Sequence, residues 1–389
     1  MDQNKQTKDL IVIGGGIMGL MTAYYASAYV KNVAILEKST IGNMEAASFS
    51  FTRSIRTDYL EPFYARLAFE AQGMWMDLQL ESSEKLFINC GCLNIAKKSV
   101  TPDLLQTYAE RSYQNISNLN YLPERFDQPE FSKRFPQFEA DMGTLDTKGG
   151  YLLPQVITEL MLRLLKQNGV TILENIDVIS IEETQDQVSI VTNNGNMKTR
   201  KLVISAGKGT NDVISNVVNN DLVFPITYDR PQRKYYYPTE DIFDQFLPEN
   251  FPVFAYTDIG IYGHPIFDKK KGAVKVAYFV PVGMKKDDQK IKNVEDFVNE
   301  CLPILKNVRS EEVTDADMCW YDTVADDDFI LGNLPGYKNI IVGTGWRGTG
   351  YKFAPIVGKM MAQSAMQSGT VYSISKFSPG RFISYEKNP

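Results

Sequence analysis

The fold is decided near the start of the chain, in the stretch Leu10-Ile11-Val12-Ile13-Gly14-Gly15-Gly16-Ile17-Met18-Gly19. Its first four residues are an apolar, β-branched run, which predicts a buried parallel strand. Residues 20–30 are rich in alanine, methionine and leucine and predict a helix, and residues 33–37 predict a second strand. A strand, a glycine-rich turn, a helix and another strand make one βαβ unit.

The glycines have the spacing of a dinucleotide-binding fingerprint. Gly14 permits the tight turn, Gly16 lets backbone approach a diphosphate, and Gly19 lets the helix pack on the strand. Glu37 ends the next strand, eighteen residues after Gly19, where a carboxylate can bind a ribose diol. The start of a helix also offers backbone N–H groups and positive charge. An ordinary glycine-rich turn is the alternative. The further predicted contacts here are Ile17, Met18 and Lys38.

A second glycine-rich segment favours FAD over NAD as the dinucleotide. Residues 339–342 predict a strand, residues 343–350 are glycine-rich, and residues 353–367 predict a helix. An extended FAD needs a second set of backbone donors near its isoalloxazine ring, and this late segment can supply them. The predicted contacts are Gly345, Gly348 and Gly350.

The 389 residues suggest two or three structural units, with parallel-strand segments at both ends and in the middle. Residues 224–282 are instead β-rich and aromatic. The predicted fold is therefore α/β (α+β), with a Rossmann-like FAD-binding domain of discontinuous segments and an inserted β-rich domain. The FAD-binding domain is predicted over residues 1–85, 148–223 and 315–389, and the substrate-binding domain over residues 86–147 and 224–314.

Composition excludes several classes of function. The chain has 41 Lys and Arg against 47 Asp and Glu, and a net charge of −6 does not favour nucleic acid as a partner. Four cysteines make no disulfide scaffold. The sole histidine, His264, rules out multi-histidine zinc sites, so no metal is expected. The chemistry is expected to belong to a bound organic cofactor.

The chain is expected to be a cytoplasmic monomer that does not span a membrane. Residues 10–30 carry no charged side chain, but they contain four glycines, including the three of the fingerprint. Residues 1–9 are mixed in charge, which is not typical of a signal peptide. The chain ends in Lys387-Asn388-Pro389 rather than in the peroxisomal Ser-Lys-Leu, and the cysteines are expected to be reduced thiols.

Four motifs, in this order, carry a family resemblance. They are the fingerprint with Glu37, then Thr52-Arg53-Ser54-Ile55-Arg56 followed by Asp58-Tyr59, then Val274-Lys275-Val276-Ala277-Tyr278, and last Cys319-Trp320-Tyr321 with residues 326–330 and 345–353. Along most of its length the chain resembles the monomeric sarcosine oxidase family of flavin amine oxidases, within the DAO-type flavoproteins. That family also includes N-methyltryptophan, pipecolate, saccharopine and fructosyl-amine oxidases.

The resemblance implies a covalent cofactor. In the family a cysteine in a Cys-x-Tyr context bonds the 8α-methyl group of FAD, and Cys319 matches that position. A buried thiol that acts as a small apolar group is the alternative for Cys319. The resemblance also places Thr52, Arg53 and Lys352 beside the cofactor.

The resemblance implies that Lys275 activates oxygen, because a fixed cation stabilises developing superoxide. A lysine on the solvent side of an edge strand is the alternative. Arg53 matches an arginine close to the flavin, and Tyr262 and Tyr321 match aromatic residues that line the family's pocket. For the two tyrosines, plain core packing is the alternative.

Arg56 and Lys352 match the residues that hold the substrate carboxylate, and arginine suits bidentate carboxylate recognition. The main departure is Phe279, since sarcosine-type members have a histidine four residues after the lysine. Phe279 favours an apolar or ring-shaped substrate and makes sarcosine itself a poor candidate. In the late loop, Gly348 is a predicted substrate contact, and Arg347 could meet a second carboxylate or reach solvent.

The sequence therefore predicts an FAD-dependent amine oxidase that converts a secondary or cyclic amino acid to an imine and reduces O₂ to H₂O₂. Two other functions stay open. One is a flavin dehydrogenase that passes electrons to a quinone or a protein, since a fold does not fix the acceptor. The other is a non-catalytic FAD-binding protein.

Overall fold

The computed structural model describes residues 7–268, 272–279, 290–313 and 320–383. The chain divides into two compact units. Unit 1 comprises residues 1–49, 155–229 and 319–389, and unit 2 comprises residues 50–154 and 230–318. Each unit is therefore assembled from segments that are distant in sequence.

The α-helices of the described residues are α1 (Ile17–Ala26), α2 (Pro62–Ser82), α3 (Tyr108–Asn118), α4 (Glu130–Arg134), α5 (Pro154–Gln167), α6 (Thr210–Ser215), α7 (Val294–Cys301) and α8 (Ala354–Met366). Among them, no helix is both long enough and apolar enough to cross a bilayer.

The strands fall in the same parts of the chain. They are β1 (Lys8–Ile13), β2 (Val33–Leu36), β3 (Arg53–Ile55), β4 (Phe87–Ile88), β5 (Cys92–Ala96), β6 (Glu124–Asp127), β7 (Met142–Asp146), β8 (Gly150–Leu152), β9 (Thr171–Leu173), β10 (Val178–Glu183), β11 (Val188–Thr192), β12 (Gly195–Ile204), β13 (Thr227–Asp229), β14 (Gln232–Tyr237), β15 (Val253–Tyr256), β16 (Ile261–His264), β17 (Val274–Tyr278), β18 (Arg309–Glu312), β19 (Tyr321–Thr323), β20 (Ile330–Asn333) and β21 (Ile340–Thr344).

Unit 1 is built on a sheet with parallel strands at its centre. Strands β9, β2, β1, β12 and β21 lie side by side and parallel in that order. Strands β10 and β11 extend β12 as an antiparallel hairpin, and β20 pairs antiparallel with β21. The apolar runs predicted as buried strands lie at this centre because parallel sheets are covered on both faces. The predicted α/β class is confirmed.

Helices α1 and α8 pack closely in unit 1. A Cβ atom added at Gly358 of α8 would lie 2.5 Å from Cβ of Met21 in α1. These two helices follow the two glycine-rich segments, and α8 begins directly after a 3₁₀ turn at Gly350–Phe353. The close helix packing therefore brings the segments after β1 and β21 into one region of unit 1.

Unit 2 contains a second sheet, of order β18-β14-β17-β16-β15-β5-β7-β6. One face of this sheet packs on a core that includes Val274 and Val276 of β17, Phe254 of β15 and Phe297 of α7. Because β17 lies between β14 and β16, it is an interior strand. A separate three-stranded sheet pairs β8 with β3 and with β4.

The compact units divide the chain at different points from the domain boundaries suggested by the sequence. Residues 50–85 and 148–154 belong to unit 2, and residues 224–229 belong to unit 1. Strand β3 of the first segment pairs with β8 of the second, and β8 also pairs with β4, which ties both segments to unit 2. Such pairing between distant segments leaves no local mark in composition.

The residues from Phe87 to Ile95, which alternate like one strand, form two strands in different sheets. Gly91 has φ +81° and separates β4 from β5. Cys90 lies between the two strands, whereas Cys92 begins β5. The alternation from Phe87 to Ile95 predicts a single strand with Cys90 and Cys92 on one face, and that prediction was wrong.

Candidate active site

The first glycine-rich loop, residues 14–19, is fixed by steric requirements. Gly14 has φ +107°, and a Cβ atom there would lie 2.2 Å from the backbone oxygen of Ser205. A Cβ atom at Gly19 would lie 1.9 Å from the backbone oxygen of Gly14. At Gly16 the sole neighbour of an added Cβ atom within 4 Å, among the described residues, is Oγ of Ser48 at 3.1 Å. The loop is therefore closed on its inner side and approachable at Gly16.

Side chains hold the first loop in place. The backbone N–H of Gly15 donates to Oε2 of Glu37 at 2.7 Å, and the N–H of Ser39 donates to its Oε1 at 2.9 Å. The N–H of Ile17 donates to Oγ of Ser48 at 2.9 Å. Glu37, at the end of β2, is thus oriented toward the loop. Lys38 instead faces solvent and pairs with Asp177 at 3.4 Å.

Two buried hydroxyl groups lie at the carboxyl ends of the central strands of unit 1. Ser205 follows β12 and is 5% exposed, and Thr344 ends β21 and is fully buried. Neither hydroxyl oxygen makes a hydrogen bond to any residue in the described ranges. Since ligands of open α/β sheets bind at the carboxyl ends of the strands, these groups and the first loop fit an extended dinucleotide such as FAD. Residues 14–19, Glu37, Ser205 and Thr344 would hold it.

The second glycine-rich loop, residues 343–350, has an unusual backbone. Gly345, Arg347 and Gly348 all have positive φ, at +70°, +60° and +64°. A β19 residue, Asp322, lies against this loop, because the N–H of Arg347 donates to its backbone oxygen at 2.9 Å. Burial raises the pKa of the Asp322 carboxyl group to about 6, and hydrogen bonding by the backbone of Trp346, Gly345 and Gly348 opposes the rise. Backbone N–H groups in such a loop form a concave anion site, and a carboxylate of the chain itself lies in it.

The second loop brings several predicted residues together. A Cβ atom at Gly348 would lie 2.5 Å from ring carbons of Tyr321, so the tyrosine ring packs directly on this glycine. A Cβ atom at Gly350 would lie 2.5 Å from Cβ of Trp346 and 3.1 Å from Cε of Met18. Met18 of the first loop and Gly350 of the second are thus close neighbours within unit 1.

Arg347 of the second loop and Lys352 of the 3₁₀ turn that follows it both make contacts within unit 1. Nε of Arg347 donates to Oδ1 of Asp327 at 2.7 Å, and its Nη2 forms an ion pair with Oδ2 of the same residue. The Arg347 guanidinium therefore does not extend into solvent, because Asp327 binds it through two nitrogens. Lys352 is 6% exposed, and its Nζ donates to the backbone oxygen of Thr349 at 3.1 Å.

Arg56 of unit 2 lies in a buried polar cluster. Its Nη1 atom donates to the backbone oxygen and to Oδ1 of Asp58, both at 2.8 Å, and to the hydroxyl of Tyr108 at 3.1 Å. The guanidinium carbon also lies 4.7 Å from the ring centre of Tyr59. Within the described residues, Nε and Nη2 of Arg56 make no hydrogen bond. One edge of the guanidinium is therefore fixed, and the other can bind a carboxylate.

The charges in this cluster depend on one another. Burial lowers the pKa of Arg56, but the charges of Asp58, Tyr108 and Tyr59 outweigh burial and hold that pKa above its ordinary value. Burial raises the pKa of Asp58, and the charge of Arg56 opposes the rise. Asn94 also donates from Nδ2 to Oδ2 of Asp58. Arg56 is therefore a permanent cation with a fixed orientation.

Lys275 is 1% exposed and lies on the interior strand β17. Its Nζ is 3.5 Å from the backbone oxygen of Thr52. The alternative placement of Lys275, on the solvent side of an edge strand, is therefore excluded. Two other predicted residues of unit 2 lie together, since the rings of Tyr262 and Phe279 have centroids 6.4 Å apart.

The remaining predicted residues are on or next to β3, or outside the described ranges. Arg53 begins β3 and pairs with Leu152 of β8, and Thr52 precedes it. The Thr52 hydroxyl is buried and makes no hydrogen bond to the described part of the chain. Cys319 lies outside the described residues. No group of three or more potential metal ligands is found in the part of the chain that the structure describes.

The sequence missed three groups of residues that the structure places at these sites. They are Asp322, the hydroxyls of Ser205 and Thr344, and the Arg56 partners Asp58 and Tyr108. A polar residue at the end of an apolar strand run is a signal that could have indicated Ser205 and Thr344. The other contacts join segments that are distant in sequence.

Comparison with known proteins identifies the family. A family model described as "FAD dependent oxidoreductase" (DAO) matches residues 9–364. The chain therefore belongs to the DAO family of FAD-dependent oxidoreductases, and the resemblance found in the sequence is confirmed at that level. The chain is an enzyme of the oxidoreductase class with FAD as its cofactor.

Curated relatives match along the full length. Peroxisomal sarcosine oxidase of Homo sapiens is 27% identical over 405 residues, covering 100% of this chain and 99% of the relative. N-methyl-L-tryptophan oxidase of Yersinia pestis (strain Pestoides F) is 28% identical over 391 residues, covering 96% of this chain and 99% of the relative.

Solved structures support the fold. L-proline dehydrogenase from P. horikoshii matches with a TM-score of 0.80 and 19% identity, over 97% of this chain and 98% of that chain. NikD, an unusual amino acid oxidase essential for nikkomycin biosynthesis, matches in its open form with a TM-score of 0.74 and 20% identity, over 96% and 98%. At these identities the likeness shows a shared fold.

Proposed function

We propose that this protein is an FAD-dependent amino acid oxidase that acts on a secondary or cyclic amino acid, yields the imine, and reduces O₂ to H₂O₂. Family membership and the names of the relatives support the class, since sarcosine and N-methyltryptophan are both N-methylated amino acids. Phe279, where sarcosine-type members have a histidine, favours an apolar or ring-shaped substrate.

The observation that carries the proposal is that only one nitrogen of the Arg56 guanidinium is hydrogen-bonded within the described residues. Asp58 and Tyr108 bind one nitrogen, and the other two nitrogens have no hydrogen bond within the described residues. An arginine held in this way presents two parallel N–H donors, which match the geometry of a carboxylate. Lys352 is the second residue that the resemblance assigns to the substrate carboxylate.

FAD, when bound, supplies a two-electron acceptor for the C–H bond next to the amine nitrogen. The chain's own residues have simpler tasks. Arg56 orients the substrate through its carboxylate, and Tyr262 and Phe279 present aromatic surface to its side chain. The Lys275 ammonium stabilises the negative charge that develops on O₂. At about 4 Å and an effective dielectric constant of about 20, such an attraction is worth about 4 kcal/mol.

The substrate class is tested by anaerobic mixing of the purified holoprotein with three sets of compounds, followed by flavin absorbance. The sets are N-methyl and cyclic amino acids, primary amino acids, and amines that lack a carboxylate. We expect bleaching of the flavin by the first set. If no compound bleaches it, catalysis on this class of substrate is wrong.

The role of Arg56 is tested with Arg56→Met. We expect the apparent Kd for amino acid substrates to rise about 100-fold, because a charge-assisted, bidentate contact is lost. Amines without a carboxylate should be affected much less. The exposed Arg66 on α2 gives the matched control, Arg66→Met, which should behave as wild type. An equal loss for both kinds of substrate would contradict the assignment.

The electron acceptor is tested by mixing the reduced protein with O₂ in a stopped-flow instrument. We expect fast reoxidation, slowed by Lys275→Met. Sluggish reoxidation that Lys275→Met leaves unchanged would favour the alternative function, a dehydrogenase that passes electrons to a quinone or a protein.

Covalent attachment through Cys319 is part of the proposal. Acid precipitation should give a yellow pellet and a colourless supernatant for the wild type, and a colourless pellet for Cys319→Ala. Cys90→Ser is the control, because Cys90 is a free, partly exposed thiol, and its pellet should stay yellow. Flavin released from the wild type would remove the covalent bond from the proposal.

We also propose that the protein is a cytoplasmic monomer. Cys90, Cys92 and Cys301 are free thiols, which suits a reducing compartment. Sedimentation of the holoprotein and fractionation of the cells that produce it test the two statements. A dimer, or activity confined to an organelle, would contradict them.

A further inference from the structure

The sole histidine of the chain is buried and has no role in the proposed function. His264 ends β16 and is 1% exposed. Its Nε2 atom lies 2.9 Å from Oγ of Ser54, the middle residue of β3. Buried polar side chains are satisfied by specific partners, and this one joins a strand of the three-stranded sheet to a strand of the large sheet of unit 2.

His264 is also the direct cross-strand neighbour of Lys275. The two residues are opposite each other in the antiparallel pair of β16 and β17. Residues directly opposite in such a pair project on the same face of the sheet, so the imidazole and the lysine side chain are adjacent. The rings of Tyr151 and Tyr262 lie beside the imidazole, with centroids 6.1 Å and 6.2 Å from it.

The segment that carries Ser54 also contacts Lys275. The backbone oxygen of Thr52 is 3.5 Å from Nζ of Lys275. Thr52 therefore contacts Lys275, and Ser54, two residues further along the chain, contacts His264. Pairing with β8 already holds the backbone of Ser54. The contact with His264 adds an anchor on β16, the strand next to Lys275, two residues from the Thr52 oxygen.

We infer that His264 is a positioning residue that, through Ser54, fixes the segment of Thr52 against Lys275 and so holds the Lys275 ammonium in place for the reaction with O₂. The inference rests on the proposed function, because it takes Lys275 as the group that promotes reoxidation. It adds a role for a residue pair that the reaction chemistry does not require.

The test separates the two half-reactions of the full-length holoprotein. Anaerobic mixing with the best substrate of the panel gives the rate of flavin reduction, and mixing of the reduced protein with O₂ gives the rate constant of reoxidation. Ser54→Ala and His264→Phe remove the contact, and His264→Gln places an amide nitrogen near the position of Nε2. Tyr151→Phe is the matched control, because the Tyr151 ring lies beside the same imidazole and the substitution leaves the contact of Ser54 with His264 intact.

We expect Ser54→Ala and His264→Phe to slow reoxidation about tenfold, the size of one lost buried hydrogen bond, and to change reduction less than twofold. His264→Gln should reoxidise close to the wild-type rate. In a Lys275→Met background, Ser54→Ala should have no further effect, because the contact acts through the lysine. The thermal midpoint of each variant shows whether it is folded. If His264→Phe is not folded, Ser54→Ala, the smaller change, tests the positioning role by itself.

Two results overturn the inference in different ways. If Lys275→Met slows reoxidation but Ser54→Ala and His264→Phe do not, the positioning role is wrong and the proposed oxidase function stands. If Lys275→Met reoxidises like the wild type, the role of the lysine fails and the positioning role fails with it. Equal slowing of reduction and reoxidation would indicate a general structural effect and would also overturn the inference.

Discussion

The two glycine-rich loops of unit 1 follow central parallel strands and precede helices that pack on each other, yet they are held differently. In the first loop, Gly14 and Gly19 have neighbours at about 2 Å from any added Cβ atom, and both neighbours are backbone atoms. In the second loop, Gly348 faces the ring of Tyr321, and a buried carboxyl group, Asp322, lies against the backbone. The first loop is therefore fixed by backbone sterics, and the second by side chains from a distant strand.

The largest expected effect tests whether backbone sterics fix the first loop. Gly19→Ala places a Cβ atom 1.9 Å from the backbone oxygen of Gly14, which cannot move without unfolding the loop. We expect loss of bound FAD and a fall of more than about 4 kcal/mol in the free energy of unfolding. The flavin-to-protein absorbance ratio and denaturant unfolding measure the two losses.

Two other glycines give the matched controls for Gly19. Gly73→Ala lies in α2 with nothing within 4 Å of the added Cβ atom, so it should stabilise the protein by about 0.5–1 kcal/mol. Gly348→Ala meets a tyrosine ring at a positive φ and should cost about 1–3 kcal/mol while FAD is retained. Equal effects of Gly19→Ala and Gly348→Ala would remove the distinction between the loops.

The second expected effect concerns the pH dependence that Asp322 gives to the second loop. The folded-state pKa is about 6, above the ordinary value of 3.8, so the native state holds the proton more tightly than the unfolded chain. The group's contribution to stability is then fully present below about pH 4 and is lost as the pH rises through about 6. The loss amounts to about 3 kcal/mol.

Asp322→Asn removes this titration. We expect the variant to gain stability relative to the wild type as the pH is raised from 4 to 7, measured by denaturant unfolding at each pH. Asp186→Asn, at an exposed position, is the control and should run parallel to the wild type. If Asp322→Asn also runs parallel, the carboxyl group does not titrate in this range.

A smaller effect is expected for the ion pair that holds Arg347 in the second loop. The pair is bidentate and partly buried, with 18% of the Arg347 side chain exposed and 38% of the Asp327 side chain. Arg347→Ala should lower the free energy of unfolding by about 1–2 kcal/mol, and a double-mutant cycle with Asp327→Ala should give a coupling of about 1 kcal/mol. A rise in KM for substrates with two carboxylates, without loss of stability, would instead return Arg347 to a substrate role.

The smallest effect is expected at the start of α1. Ser48 accepts the hydrogen bond of the Ile17 N–H, and Ser48→Ala removes it. Loss of a side-chain acceptor at a helix N-terminus costs about 1 kcal/mol. Ser99→Ala, an exposed serine that bonds to Glu300, is a control for a surface hydroxyl and should cost less. An unchanged free energy of unfolding for Ser48→Ala would mean that the first loop does not depend on this contact.

Much of unit 1 could be predicted because its main elements are determined by residues that are close together in the sequence. The strand, turn and helix around Gly14 and Gly19 follow from residue size and backbone conformation within a few positions of the chain. The late strand and helix could be predicted in the same way, and they form β21 and α8. The strand predicted over Phe87 to Ile95 failed because a positive φ at Gly91 interrupts a regular alternation.

The sequence by itself determined the βαβ start, the α/β class and the family, because apolar periodicity and glycine sterics act between near neighbours. Only the tertiary structure decided that Lys275 is buried on an interior strand, that Asp327 holds Arg347, and that His264 meets Ser54 across 210 positions. Those contacts join segments brought together by sheet pairing. The pairing depends on the packing of a whole unit, which no short stretch of residues records.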